Sequence, residues 1–506
     1  MSAAPTIARP LHWAALARVP SLTATLGTTA GATVALAPSL LPRSAPVQGL
    51  ETGLLAAVGL GLAVGIRALL RLTFGRRVCD PPDSDRPCTH ARQMTREIGL
   101  AGAVLVVAAM VAVAASWQTG LRAAMSMPAV GSGYWIEMLT IAATTLSTAA
   151  AIGSALRRAV ARTGRIRCVA GLLTLITLGT TFGVPAAWRW ADAHYTRADA
   201  ILESTTARPH LTTRTGGPGT LVPWSTLGVE GRRFVSDVRH PAAARVYVGM
   251  DSAPTDARRA ELAVAELRRT GGLDRKAVVV AVPTGSGWID DAAANAFERR
   301  FSGDVAIVGV QYSAVPSWVG YLFDRGGAVE SARNTVAAVR AALDALPQDR
   351  RPALYVYGQS LGSVAGSAAI AQVPVCGALW AGPPAGTLAP TSTAVPGNTA
   401  VPGNTAVLAN SSDPVVRFSP RLLWSPPRAH GTRTDAPVPQ WLPLVGFVQT
   451  GVDLLSATAT PPGHGHVYGA GQGDALPACR PGRSGSDQMA AVASSPRAAS
   501  YAAPTR

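Results

Sequence analysis

The stretch ALYVYGQSLGSVAGSAAIAQV (353–373) decides how the rest of the chain is read. Its first five residues are apolar or aromatic without polar alternation, the composition of a strand buried on both faces. From Leu361 onward, small and apolar residues indicate a helix. Between the two lies Gly358-Gln359-Ser360-Leu361-Gly362, a G-x-S-x-G pattern at the point where strand must turn into helix. The glycines answer a steric need, because a side chain at 358 or 362 would collide with neighbouring backbone in so sharp a turn. Ser360 is thereby held at the strand's C-terminal edge, facing the start of the helix. The pattern alone means little in a chain with 51 glycines. Its placement between a strand and a helix makes Ser360 the expected nucleophile, the alternative being a structural turn serine.

Working outward, ARVYVGM (244–250), KAVVVAVP (276–283), DVAIVGVQYS (304–313), GALWAG (377–382) and TAVLANS (405–411) read as further strands. Amphipathic stretches such as AVESARNTVAAVRAALDALP (328–347) alternate with them. Near-continuous apolar strands alternating with helices predict an α/β domain with a mostly parallel sheet, assigned to 222–479.

A nucleophilic serine on such a scaffold is followed by an acid and then a histidine. The acids between Ser360 and the last histidines are Asp413, Asp435 and Asp453. Asp413 directly follows the strand TAVLANS, where a carboxylate emerges to orient an imidazole, so it is preferred over Asp435 in a Pro-rich loop and Asp453 in a helical stretch. His464 and His466, in PPGHGHVY, are both candidates for the general base, with His464 the first choice and His430 set aside. The oxyanion donors expected are the N–H of Leu361 and that of Thr284 or Gly285, in the glycine-containing loop after KAVVVAVP. The His-x-His pair lacks a nearby Cys, Asp or third His, so no metal and no cofactor are expected.

The chain has 506 residues, 48% hydrophobic and only 15% charged, which is too apolar for an ordinary soluble enzyme. Its net charge of +16 comes almost wholly from arginine, Lys276 being the sole lysine. Residues 1–195 hold 17 arginines against 7 acidic residues and are also the most apolar part. Five apolar runs there approach the about 20 residues of a membrane span: 21–41, 48–70, 98–117, 134–156 and 166–188. Arginines crowd the loops 71–97 and 157–167, whereas 42–47 holds only Arg43 and 118–133 only Arg122. By the positive-inside rule the N-terminus is cytoplasmic and everything after residue 190 lies outside the cell membrane. Basic loops between apolar runs indicate a lipid bilayer as partner, and not nucleic acid. This N-terminal domain, 1–190, is read as an anchor, or as a wall of a lipid-access groove in which Glu51 is a functional acid. Residues 191–221 are expected to form a polar connector and 480–506 a disordered tail. Five irregularly spaced cysteines exclude a disulfide framework, and no bond is expected between Cys376 and Cys479.

Taken together, these blocks resemble a family of membrane-anchored α/β-hydrolases of actinobacterial type with a multi-span N-terminal domain. The resemblance rests on PSLLPR (38–43), Val47-Gln48-Gly49-Leu50, VPWSTLGVEGRRFV (222–235), PTGSGW (283–288), QYSAVPSW (311–318), YVYGQSLGS, LWAGPP (379–384), NSSDPVV (410–416) and GHGHVYG (463–469). It implies a serine-hydrolase fold and supports Ser360, Asp413 and the His464/His466 pair, but implies no substrate. Two features depart from it: Gln359 stands where an acid is usual, and TAVPGN is duplicated in tandem within 393–407, which predicts a flexible loop near the site.

The function expected is that of a membrane-bound serine hydrolase cleaving an ester, thioester or lactone through an acyl-enzyme. Trp288, Trp318 and Trp380, with the bilayer, suggest a small-molecule or lipid substrate carrying a hydrophobic acyl group. An acyltransferase on the same scaffold and an inactive receptor or scaffold are the alternatives.

Overall fold

The computed structural model describes residues 20–73, 85–201, 206–371, 373–388, 393–395, 398–400, 404–427 and 432–479. The tail 480–506, His430 and Arg9, Arg18, Arg76 and Arg77 lie outside the described residues. The chain divides into two compact units, one formed by the chain up to Ala123 with Pro128–Cys168, the other by Ala124–Met127 with the chain from Val169 onward.

The first unit is helical: α1 (Leu22–Ala35), α2 (Ala45–Thr73), α3 (Asp85–Ala124) and α4 (Ser132–Thr163). Glycines let α2 approach both neighbours. A Cβ at Gly31 would lie 1.9 Å from the Leu55 carbonyl oxygen, and one at Gly53 would lie 2.7 Å from that of Ala142. Such small-residue contacts are how helices pack where lipid removes the hydrophobic drive. Between α1 and α2 the chain leaves helical form at Pro38 and Pro42, yet Leu40, Leu41 and Arg43 are buried. Arg43 forms a buried ion pair with Glu51. The loop is also tied to α3: Trp117 Nε1 donates to the Ser39 carbonyl at 2.8 Å and Arg122 to that of Arg43 at 3.0 Å. Irregular backbone at membrane depth is tolerated only where protein satisfies it.

Among the described residues, four helical segments are long and apolar enough to cross a membrane: Ala45–Leu70, Gln93–Ala124, Ser132–Thr163 and Ile166–Ala200. The first of the five expected spans is not among them. The 14 residues of α1 reach only about 21 Å, short of a hydrocarbon core of about 30 Å, because the prolines end it. The last expected span, 166–188, continues further. It runs as α5 (Arg165–Leu178), a π-turn (Gly179–Gly183) and α6 (Val184–Ala200). Pro185, which lacks an N–H, accounts for the local widening.

In the second unit, α7 (Gly228–Ser236) precedes β1 (Ala244–Val248), α8 (Asp256–Arg269), β2 (Ala277–Val282), α9 (Asp291–Arg300) and β3 (Val305–Val310). Then come α10 (Ser317–Phe323), α11 (Arg325–Asp344), β4 (Ala353–Gln359), α12 (Leu361–Ala369) and β5 (Gly377–Ala381). The chain continues through the antiparallel pair β6 (Thr393–Val395) and β7 (Asn398–Ala400) to β8 (Thr405–Asn410), β9 (Thr432–Arg433), α13 (Val445–Asp453) and α14 (Gln472–Ala475). Seven strands form one sheet in the order β1-β3-β2-β4-β5-β8-β9, with every pairing parallel. β1, β2, β3 and β5 are buried at every residue, which explains their unbroken apolar sequences. Part of the TAVPGN duplication thus forms the β6–β7 pair.

Residues 206–221 are fixed to the core. Buried Glu266 accepts from Thr215 Oγ1 at 3.1 Å, and Arg214, fully buried, donates to the Asp237 and His240 carbonyls. The expected absence of a Cys376–Cys479 bond is also corrected. The two residues form a disulfide with Cα atoms 5.2 Å apart, although 103 residues separate them in sequence. Cys376 precedes β5 and Cys479 follows α14, so only the folded chain brings them together.

Candidate active site

Strand order reverses between β2 and β4: the connection from β2 leads to β3 on one side, and the chain then returns to β4 on the other. In parallel α/β sheets the crevice at the C-terminal ends of such strands is where ligands bind. Ser360 sits there, in the turn from β4 to α12, with φ +52° and ψ −121°. A non-glycine residue in this region is strained and must be held by its surroundings. Its N–H donates to the Ala381 carbonyl at 3.0 Å, and its carbonyl accepts from Ser363 Oγ at 2.5 Å. Both glycines of the motif are sterically required. A Cβ at Gly358 would lie 2.3 Å from the Gly362 oxygen, and one at Gly362 would lie 2.4 Å from the Val282 oxygen. The elbow is therefore pressed against the end of β2.

The loop after β2 carries the other expected amides. Thr284 N–H is engaged inside its own turn, donating to the Trp288 carbonyl at 3.0 Å. Gly285 N–H instead donates to Ser317 Oγ at 3.1 Å, a hydroxyl that can rotate away. Leu361 is the first residue of α12, where an N–H has no partner within the helix.

Asp413 is completely buried just beyond β8. Its Oδ2 lies 2.8 Å from His466 Nδ1 and accepts from Tyr468 Oη at 2.5 Å, while Oδ1 accepts from Val415 N–H at 2.8 Å. Burial, reinforced by the Asp413 charge, pushes the Tyr468 phenol well above its ordinary value, so it remains a donor. With Nδ1 turned to Asp413, the His466 ring presents Nε2 on its far side. The ring packs on Gly382, where a Cβ would come 2.7 Å from Cε1, and Gly382 is next to the Ala381 that holds Ser360.

His464 faces a different acid. Its Nδ1 lies 3.2 Å from Asp435 Oδ2. Asp435 also accepts from Ser411 Oγ at 2.9 Å, from Ser412 N–H at 3.0 Å and from Ser412 Oγ. Asp413 is thus paired with His466 and not with the first-choice histidine His464. Asp453 is buried in α13 and lies in neither pair.

Three residues around these pairs make contacts that the sequence did not assign. Tyr468 follows His466 by two residues, and its placement in GHGHVY was the only signal. Asp435 was set aside for its Pro-rich surroundings. Gln359, the unusual elbow residue, is buried and donates from Nε2 to the His466 carbonyl at 3.0 Å, so it ties the residue before Ser360 to the His466 backbone. Of the three tryptophans, Trp380 is core, packed on Gly366, and Trp318 is exposed. Among the described residues no three His, Cys, Asp or Glu gather as a metal site.

An all-parallel sheet with a strained serine at its switch point is the architecture of an α/β-hydrolase. The alpha/beta-hydrolase family matches residues 244–396 and 388–488, and that family's N-terminal domain matches residues 36–238. The chain belongs to this family and carries both of its parts. Comparison with curated proteins and with solved structures gives no match.

Proposed function

We propose that the protein is a membrane-bound serine hydrolase that cleaves an ester, thioester or lactone of a hydrophobic substrate, with Ser360 as nucleophile, His466 as general base and Asp413 as its orienting acid. The observation that carries this reading is the strained Ser360 backbone at the sheet's switch point, one residue register away from the glycine on which the Asp413-paired imidazole rests.

In this mechanism Ser360 Oγ attacks the acyl carbon and its proton passes to His466 Nε2. The Leu361 and Gly285 N–H groups receive the oxyanion, Gly285 exchanging its bond to Ser317; the Thr284 amide is already engaged in its turn. Collapse of the tetrahedral intermediate expels the alcohol or thiol, which takes the proton from His466. Water, deprotonated by His466, then attacks the acyl-enzyme and releases the acid, restoring Ser360. Asp413 and Tyr468 hold the imidazole's orientation throughout.

Four membrane-capable helices support membrane attachment. The arginine-rich loops and a disulfide between Cys376 and Cys479 are in keeping with an extracytoplasmic hydrolase domain, since such bonds persist in oxidising compartments. The test is fluorophosphonate labelling of membranes bearing the full chain. Labelling is expected to vanish in Ser360→Ala, fall steeply in His466→Ala and persist in His464→Ala. An unlabelled but folded wild type would overturn the proposal in favour of an inactive scaffold.

A further inference from the structure

A wholly parallel sheet has a single C-terminal edge, and both the candidate site and the last membrane helix are fixed to it. Ser360 follows β4, Gly285 follows β2 and Asp413 follows β8. At the same edge, Gln311 directly follows β3, and its N–H donates to the carbonyl of Val248, the last residue of β1. Gln311 Nε2 donates to Asp199 Oδ2 at 2.8 Å, and Asp199 lies at the end of α6. The other Asp199 oxygen accepts from Val229 N–H at 2.9 Å, at the start of α7. Arg232 donates to the Asp199 and Ile201 carbonyls, closing the joint. The root of the segment Ile166–Ala200 is therefore bolted to the active-site edge. From Trp190 to Ala200 the helix rises only about 15 Å, so that edge stands close to the bilayer the helix crosses.

The surface along this edge suits such a neighbour. Trp318, Trp424 and Leu444 are 65%, 66% and 64% exposed, and Leu442 is exposed with them. Trp318 adjoins Ser317, which touches Gly285. Trp424 and Leu444 belong to the excursion that leaves at Asp413 and returns at His466, and Leu444 N–H donates to the Leu423 carbonyl at 3.2 Å. Leu444 is held at φ +63°, a region a leucine rarely accepts, with its side chain directed to solvent. Exposed Arg421 lies in the same segment and complements anionic headgroups. Tryptophan and leucine beside arginine are the composition of interfacial membrane contacts.

We propose that the active-site edge faces the bilayer crossed by the chain's own last helix, with Trp318, Trp424, Leu442 and Leu444 in the lipid interface, and that the acyl substrate is a membrane amphiphile taken from that interface. The substrate half of this proposal rests on the serine-hydrolase reading; the docking half does not.

The experiment uses the full chain in nanodiscs, made with ordinary or with brominated phospholipid. Brominated lipid is expected to quench tryptophan emission, and the quenched fraction is expected to fall in Trp318→Phe and again in Trp424→Phe. Equal quenching in wild type and both variants would overturn the docking, as would a cross-linked dimer that covers these residues without quenching. In the activity arm, Trp424→Asp with Leu444→Asp is expected to lower turnover of a long-chain ester in the bilayer about tenfold, with less than about twofold change on a water-soluble short-chain ester. Equal losses on both esters, or none on either, would overturn the substrate half. Failure of Ser360 labelling in wild type would sink the hydrolase reading and the substrate half with it, while the quenching result would still decide the docking.

Discussion

Two histidine–aspartate pairs stand side by side at the edge of this sheet, His466 with Asp413 and His464 with Asp435, and they differ in everything except chemistry. Asp413 is sealed: it is completely buried, and its remaining partners are the Tyr468 hydroxyl and the Val415 amide. The one imidazole it meets is that of His466. Asp435 is a fastener, accepting from Ser411 and Ser412 beside Asp413 while facing His464. Ser412 Oγ in turn accepts from Gly465 N–H at 2.8 Å, between the two histidines. One pair therefore holds an imidazole against Gly382, next to the Ala381 whose carbonyl accepts from Ser360, and the other fastens the loop that carries both histidines. Identical side chains two residues apart acquire different work from their neighbours.

The sharpest way to break this distinction is His466→Ala, expected to lower kcat about 10⁶-fold on a soluble ester. A comparable loss from His464→Ala would merge the two pairs. Asp413→Asn should cost about 10⁴-fold, because the amide favours the wrong imidazole tautomer. Cys376→Ser with Cys479→Ser should lower the hydrolase domain's unfolding free energy by about 2–4 kcal/mol. The bond closes the segment that holds both pairs, so denaturant melts should show the loss while turnover of the folded enzyme changes little. Tyr468→Phe removes one charge-assisted bond to Asp413 and should reduce kcat about tenfold with KM unchanged. The smallest effect is expected from His464→Ala, about threefold in kcat, with Asp435 still held by both serines.

The membrane part shows a similar contrast between a run's composition and its fold. Residues 21–41 are apolar enough to suggest a span, yet Pro38 and Pro42 turn the end of the run into a buried loop fastened by the Arg43–Glu51 pair. Glu51, which the sequence offers as a functional acid, has Arg43 as its ion-pair partner. Hydropathy counts side chains and does not register where backbone must bend. The π-turn before Pro185 and the continuation of α6 to Ala200 were likewise beyond it, since residues 190–200 are polar and helical at once.

Local chemistry was enough to reveal the sheet and the elbow. Strands buried on both faces must be apolar throughout, and a turn that presses Gly358 on Gly362 and Gly362 on Val282 admits no side chain at either glycine. Asp413 stands out in the sequence as the first acid after a strand end, and it is paired with His466. Pairing was another matter. Gly463 at φ +95° and Gly465 at φ +53° bend the chain on either side of His464, so that His464 and His466 face different carboxylates. The Cys376–Cys479 bond, the Asp199 joint and the Gln359 tether join residues between 30 and 112 positions apart. A residue's type and immediate neighbours are written in the sequence by itself, and they determined the strands, the elbow and the greasy helices. Which distant groups meet is set by how the layers pack, so only the tertiary structure decided which histidine Asp413 holds and which edge of the sheet the last membrane helix reaches.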